Sequence, residues 1–218
     1  SERAVAKFLT YFRAPGNGQA LKREQGRYFR MDYGPISLIA VDGCNGLPHQ
    51  SDQDSNWHLS SNLRPHGDFH PGSAQYAWLE QQLREAQKRS HFTFVAFHHC
   101  PYSSGLHAFP PGQGQDHDRQ SGLPLQALTP LFLRYGVDAL LNGHDEMLER
   151  SEVTGQEVLP DGRSRPHTLQ VYDVGIGGDG LRGPEIANPL RKFLAHEKSP
   201  EVWVEGVLQA GGKHYGHL

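Results

Sequence analysis

The chain has 218 residues, 36% of them hydrophobic, and a formal charge of −3 from 21 Lys and Arg against 24 Asp and Glu. That length suffices for one domain with a substantial core, and the absence of any dense Lys/Arg run excludes a protein that grips a nucleic-acid backbone by counterion release. No apolar stretch approaches the roughly 18 residues of a membrane span, the opening Ser1-Glu2-Arg3 carries no signal-peptide pattern, and Cys44 and Cys100 lack the spacing of a zinc knuckle or a disulfide framework.

Residues 28–33 and 36–41 are β-rich and separated by Gly34-Pro35, which predicts a hairpin whose second arm is apolar enough to be central. Asp42-Gly43 ends that arm. Residues 43–72 are rich in Asn, Asp, Ser, Pro and His without a sustained period, the composition of a long surface loop. Ser73 is a predicted N-cap, and Tyr76, Leu79, Leu83 and Ala86 recur at spacings of three and four, which predicts an amphipathic helix ending near Arg89. Residues 92–97 form an almost continuous apolar run, as in a strand covered on both faces, and stop at His98-His99.

After a Gly/Pro-rich loop, Pro124 opens a second predicted helix with Leu125, Leu128, Phe132 and Tyr135 on one stripe and Gly136 closing it. Residues 137–141 then read as a buried strand. Alternation of strand and helix with short links predicts an α/β fold with parallel pairing, so that three strands direct their carboxyl ends to one edge. Beyond residue 152 the expected pieces are β-like, over 152–159, 168–174 and 201–208, with one helix expected over 189–196 and the start of a strand over 213–218.

In open α/β sheets ligands bind outside the carboxyl ends of the strands. Asp42, His98, His99 and the run Asn142-Gly143-His144-Asp145-Glu146 all fall at that edge. The chain holds 14 histidines, and histidines with a carboxylate from adjacent strand ends suit Zn, Fe, Mn or another borderline metal. Gly143 is expected to let the backbone turn beside the ion. Asp42 reads as a structural carboxylate closing its strand rather than a ligand. Three decoys fail on mechanism. Gly175-Ile176-Gly177-Gly178-Asp179-Gly180 is followed by Gly183-Pro184 instead of a helix, so it reads as a loop and not a dinucleotide fingerprint. The run that begins at Asp52 has Trp57 where a calcium loop needs glycine. Asp68-Phe69-His70 lacks an apolar strand before it.

Two segments carry a resemblance. Val95-Ala96-Phe97-His98-His99-Cys100-Pro101-Tyr102-Ser103-Ser104-Gly105, followed by His107, is similar to the His-His-Pro-Pro-Tyr-Ser-Ser-Gly-x-His segment of calcineurin-like metallophosphoesterases of the purple-acid-phosphatase-like kind. Asn142-Gly143-His144-Asp145-Glu146-Met147-Leu148-Glu149-Arg150 resembles their Gly-His-Asp-His-x-Tyr-Glu-Arg. The stretch from Gln75 to Leu83 and the stretch from Tyr28 to Gly34 also resemble the family, so the similarity covers nearly the whole chain.

The resemblance implies a metal-dependent phosphoric ester hydrolase, a phosphatase or phosphodiesterase, with a two-sheet sandwich flanked by helices. It implies two transition metal ions, Fe, Mn or Zn, held about 3.5–4 Å apart over a phosphate ester. His98 and His144 match metal ligands. Glu146 stands where the motif has its second histidine and either ligates through oxygen or leaves one site weak. His107 matches the histidine that protonates the leaving oxygen, and His99 a residue beside the metal or facing substrate. Asp145 is expected to orient His144, and Arg150 to tie the loop to Glu149 or the core.

The family's Asp-x-His, Gly-Asp and Gly-Asn-His motifs are not found in this chain. Residues 1–218 are therefore expected to be the C-terminal portion of one metallophosphoesterase domain, cut at both ends, with its other half in cis or on another chain. The competing expectation is a non-catalytic module of the same fold that binds a partner or a single metal. Family likeness makes an extracytoplasmic location conceivable; nucleic acid and membrane are not expected partners.

Overall fold

The computed structural model describes residues 7, 10–19, 25–43, 69, 71–110, 121–177, 182–194 and 202–210. The expected loop over 43–72 lies mostly outside these residues, as do Cys44, the run starting at Asp52, Asp68, His70 and residues 213–218.

Strands β1 (Phe29–Tyr33) and β2 (Ile36–Ala40) form the expected antiparallel hairpin, with Tyr33 opposite Ile36. Gly34 takes φ 54 in the turn, a left-handed position that glycine adopts without a Cβ clash. Helix α1 (Ala74–Arg89) begins where Ser73 Oγ accepts the Tyr76 N–H at 3.2 Å. Its buried stripe is Gln75, Trp78, Leu79, Leu83 and Ala86. Gln75 is the surprise, and its amide explains it. The side chain accepts the Asp42 N–H at 2.8 Å and donates to the Asp42 carbonyl at 2.9 Å, so it pairs the last backbone groups of the β2 exit as a neighbouring strand would. The Asp42 carboxylate is held by Arg27 Nε at 2.6 Å, a structural role at that strand end.

Strand β3 (Phe92–His99) runs parallel to β2 and to β4 (Ala139–Gly143). The second helix differs from expectation. Leu123–Leu128 is a 3-10 helix, and helix α2 covers only Thr129–Arg134. Pro130 has no N–H to give and its ring crowds the carbonyl four residues earlier, so one continuous α-helix cannot pass through it. The stripe survives the break, with Leu125, Leu128 and Phe132 all buried.

Strands β5 (Leu148–Val158) and β6 (Ser164–Val174) are longer than the expected pieces and pair antiparallel along their whole length. The helix expected over 189–196 is instead strand β7 (Arg191–Leu194), paired with β5. The open edge of β5 offers ladder hydrogen bonds that a segment this short cannot match within itself. The expected 201–208 strand is a hairpin, β8 (Val202–Val204) and β9 (Val207–Ala210), with Glu205 at φ 50 and Gly206 at φ 77 in its turn.

The result is a mixed seven-stranded sheet in the order β1-β2-β3-β4-β6-β5-β7 with a separate two-stranded ribbon, an α/β fold. Helices α1 and α2 and the 3-10 helix before α2 bury Leu83, Leu79, Phe132 and Leu128 against Val95 and Leu140 of the central strands in one cluster. Each such side chain contributes about 1.5–3 kcal/mol relative to exposure. Strands β2, β3, β4 and β6 are mutually parallel, and β3 and β4 bring their carboxyl ends together in the middle of the sheet.

Candidate metal centre

On a regular strand His98 and His99 point to opposite faces. A bulge prevents that. Ala96 pairs with Leu141 and His99 with Gly143, so three steps on β3 oppose two on β4. The extra residue twists the strand end, and both rings meet His144, with centroids 4.8 Å from His98 and 4.3 Å from His99. His98 is exposed, His99 buried and His144 between them.

The turn after β4 does not rest on a left-handed Gly143. His144 itself takes φ 78, a region that L side chains avoid. Asn142 Nδ2 donates to the Phe97 carbonyl at 2.8 Å and ties the β4 exit to β3. His144 Nδ1 lies 3.1 Å from His98 Nε2. One ligand atom from each of His98, His99 and His144 lies within 4.8 Å of the others. Metal–nitrogen bonds of about 2.0–2.1 Å put tetrahedral ligand nitrogens about 3.3 Å apart, so the His98–His144 spacing fits a common ion. His144 Nε2, the other ring nitrogen, is buried with no hydrogen-bond partner among the described residues, and an ion shared with His98 through Nδ1 would not reach it.

The protonation states suit ligation as well. Although His98 is exposed at the surface, partial desolvation by the atoms packed around its ring pushes it below the ordinary histidine value, helped by the charge on His107 and opposed by Glu146. His144 is pushed down to about 2 by burial first, then by His99, His107, His98 and Arg182. Both imidazoles therefore stay neutral, as metal ligands must be.

His107 sits in the 3-10 turn Leu106–Ala108 and packs on His144 with centroids 3.8 Å apart. Asp145, expected to orient His144, instead accepts the His107 N–H at 2.9 Å. Gly105 makes room for that carboxylate, because a Cβ there would lie 2.3 Å from Asp145 Cγ. Glu149 accepts the Ser104 N–H at 2.8 Å and its hydroxyl at 2.6 Å, and Asn188 Nδ2 at 2.6 Å. The two resembling segments are thus one buried unit, with Ser104 bound to Glu149 and Gly105 fitted to Asp145. Arg150 turns away, to Glu152 at 3.0 Å and Gln170 at 2.8 Å. The Gly175 backbone abuts Asp145, where a Cβ would meet the carbonyl oxygen at 1.8 Å, so Gly175 is what lets β6 leave the sheet against the His144 loop.

Glu146 does not join the imidazoles. Its Oε2 pairs with Arg182 Nε at 2.9 Å, and its carbonyl accepts the Arg182 N–H at 2.8 Å. Arg182 carried no signal in the sequence, being isolated in a glycine-rich loop. His99 was legible from its place at the strand end and from the resemblance, which put it beside the metal or facing substrate.

The same fold occurs in known proteins. The structure of purple acid phosphatase PPD1 from yellow lupin (Lupinus luteus) seeds matches with a TM-score of 0.51 at 19% identity, over 86% of this chain and 28% of that one. PhoD matches with a TM-score of 0.51 at 13% identity, over 86% of this chain and 37% of that one. The fold is purple-acid-phosphatase-like. In sequence, the chain is 29% identical over 109 residues to Probable purple acid phosphatase 20 of Arabidopsis thaliana, an alignment that covers 46% of the chain. It spans 24% of that relative's length. No protein-family model matches the chain. Within this purple-acid-phosphatase-like fold, His98, His99 and His144 form a group able to hold a metal ion.

Proposed function

We propose that the protein is a metal-dependent phosphoric ester hydrolase. The observation that supports this most is the convergence of three imidazoles from the ends of two central parallel strands, in a fold shared with purple acid phosphatases. His98 and His144 would hold Fe, Mn or Zn, with His99 beside them; such an ion supplies positive charge at a phosphoryl oxygen and makes water nucleophilic at neutral pH. His107, packed against His144, holds a proton at a ring nitrogen and delivers it to the leaving oxygen. Asp145 fixes the His107 backbone, and the buried tie between Ser104 and Glu149 keeps the two loops in register. A dinuclear centre would take its remaining ligands from an upstream segment or another chain, with a phosphomonoester or phosphodiester as substrate.

Elemental analysis together with hydrolysis of para-nitrophenyl phosphate and its bis ester tests the proposal. His98→Ala and His144→Ala should each lower metal content and cut turnover by about a hundredfold or more. Unchanged metal content in both variants would sink it. The pairing of Glu146 with Arg182 favours a second reading, a non-catalytic module that holds one metal or a partner. Metal uptake sensitive to His144→Ala, without turnover of either ester, would select it.

A further inference from the structure

Arg182 and Glu146 are joined twice, by Nε to Oε2 at 2.9 Å and by backbone N–H to carbonyl at 2.8 Å. The double tether fastens the segment at 182 to the loop that carries His144. The Glu146 side chain is largely covered, whereas that of Arg182 is 46% exposed, so the pair bridges the covered loop and the surface. Its charge reaches His144. A guanidinium presents planar N–H donors that match phosphoryl oxygens, and the backbone hydrogen bond together with the charge contact to Glu146 keeps it near the His144 loop. Among the described residues the metal-capable group is His98, His99 and His144 without Glu146.

We propose that Arg182 holds Glu146 off the metal and itself meets the phosphoryl oxygens of the substrate, so that one metal ion and one guanidinium carry the positive charge of the site in place of the dinuclear centre considered above. Glu146 then holds Arg182 near the site by charge instead of serving as a ligand. The inference rests on the phosphoesterase reading above and makes Arg182 a substrate-binding residue.

Titration calorimetry with inorganic phosphate and elemental analysis of metal, on the protein and its Arg182→Ala and Glu146→Gln variants, test it. The unsubstituted protein should hold one metal equivalent. Arg182→Ala should keep that equivalent and weaken phosphate binding by about tenfold or more, the loss of a charge-assisted hydrogen-bonding partner. Arg182→Gln carries the same expectation where the alanine variant does not fold. Glu146→Gln should keep the metal. Two metal equivalents in the unsubstituted protein, loss of metal in Glu146→Gln, or phosphate affinity indifferent to Arg182 each overturns the proposal. A protein that takes up no metal removes the phosphoesterase reading itself, whereas metal uptake with phosphate affinity indifferent to Arg182 removes only this inference.

Discussion

His144 carries the site and sits where its own backbone is disfavoured. At φ 78 a side chain costs roughly 1–2 kcal/mol relative to glycine. His144→Gly and His144→Ala should both lose metal, yet the glycine variant should be more stable than the alanine variant by about 1 kcal/mol in urea titration. Equal stabilities would show that the residue is unstrained. At this scale the sequence was legible where residue type and spacing decide, as for His98 and His144 at neighbouring strand ends. Its limit shows at Glu146 and at the way the His99 ring is turned. A bulge and an ion pair set where these two side chains go, and both depend on partners distant in the chain, Gly143 for one and Arg182 for the other.

Among the elements, β6 turns Leu169, Val171 and Asp173 to one buried side. The last of these is a carboxylate at the end of an apolar row. Burial raises its pKa well above the ordinary value, the charges on Asp145 and Glu149 add to that, and the nearby Gly175 N–H and Ser103 hydroxyl only partly offset it. Neither oxygen makes a well-formed hydrogen bond among the described residues. A carboxyl whose folded pKa is raised adds stability that is fully present below its unfolded value, about 3.8, and is lost as pH rises toward the folded value. Asp173→Asn should therefore stabilise the protein at pH 7 by about 1–3 kcal/mol. That gain should shrink to nothing below about pH 4. Urea titrations between pH 4 and 8 check both limits, and a gain that is constant with pH would refute the account.

Element type was legible where the period was long and unbroken, as in α1 with its Ser73 cap. It failed at α2, where Pro130 splits an apolar stripe that periodicity alone reads as continuous. It failed again at β7, whose strand character comes from the edge of β5 and not from residues 191–194 themselves.

At the scale of the molecule, the strand and helix alternation up to β4 sufficed to place three parallel carboxyl ends on one edge, and with them the candidate site. The second half of the sheet was less legible, because β5 and β6 take their length from pairing with each other. The chain matches about a quarter of its curated relative, so the local architecture and not the length of the match supports the functional reading.

The order β1-β2-β3-β4-β6-β5-β7 puts the strands that end at the candidate site, β3 and β4, inside the sheet, with two strands outside β3 and three outside β4. Fraying of β1 or β7 can proceed without disturbing either. Amide protons of β3 and β4 should then exchange only through global opening, slower than those of the two edge strands. A metal bound at His98 and His144 should be released in step with the main denaturation transition and not ahead of it. Release at lower denaturant would reveal the His144 loop as a separately opening unit. With coupled release, the bound ion reports on the integrity of the whole sheet.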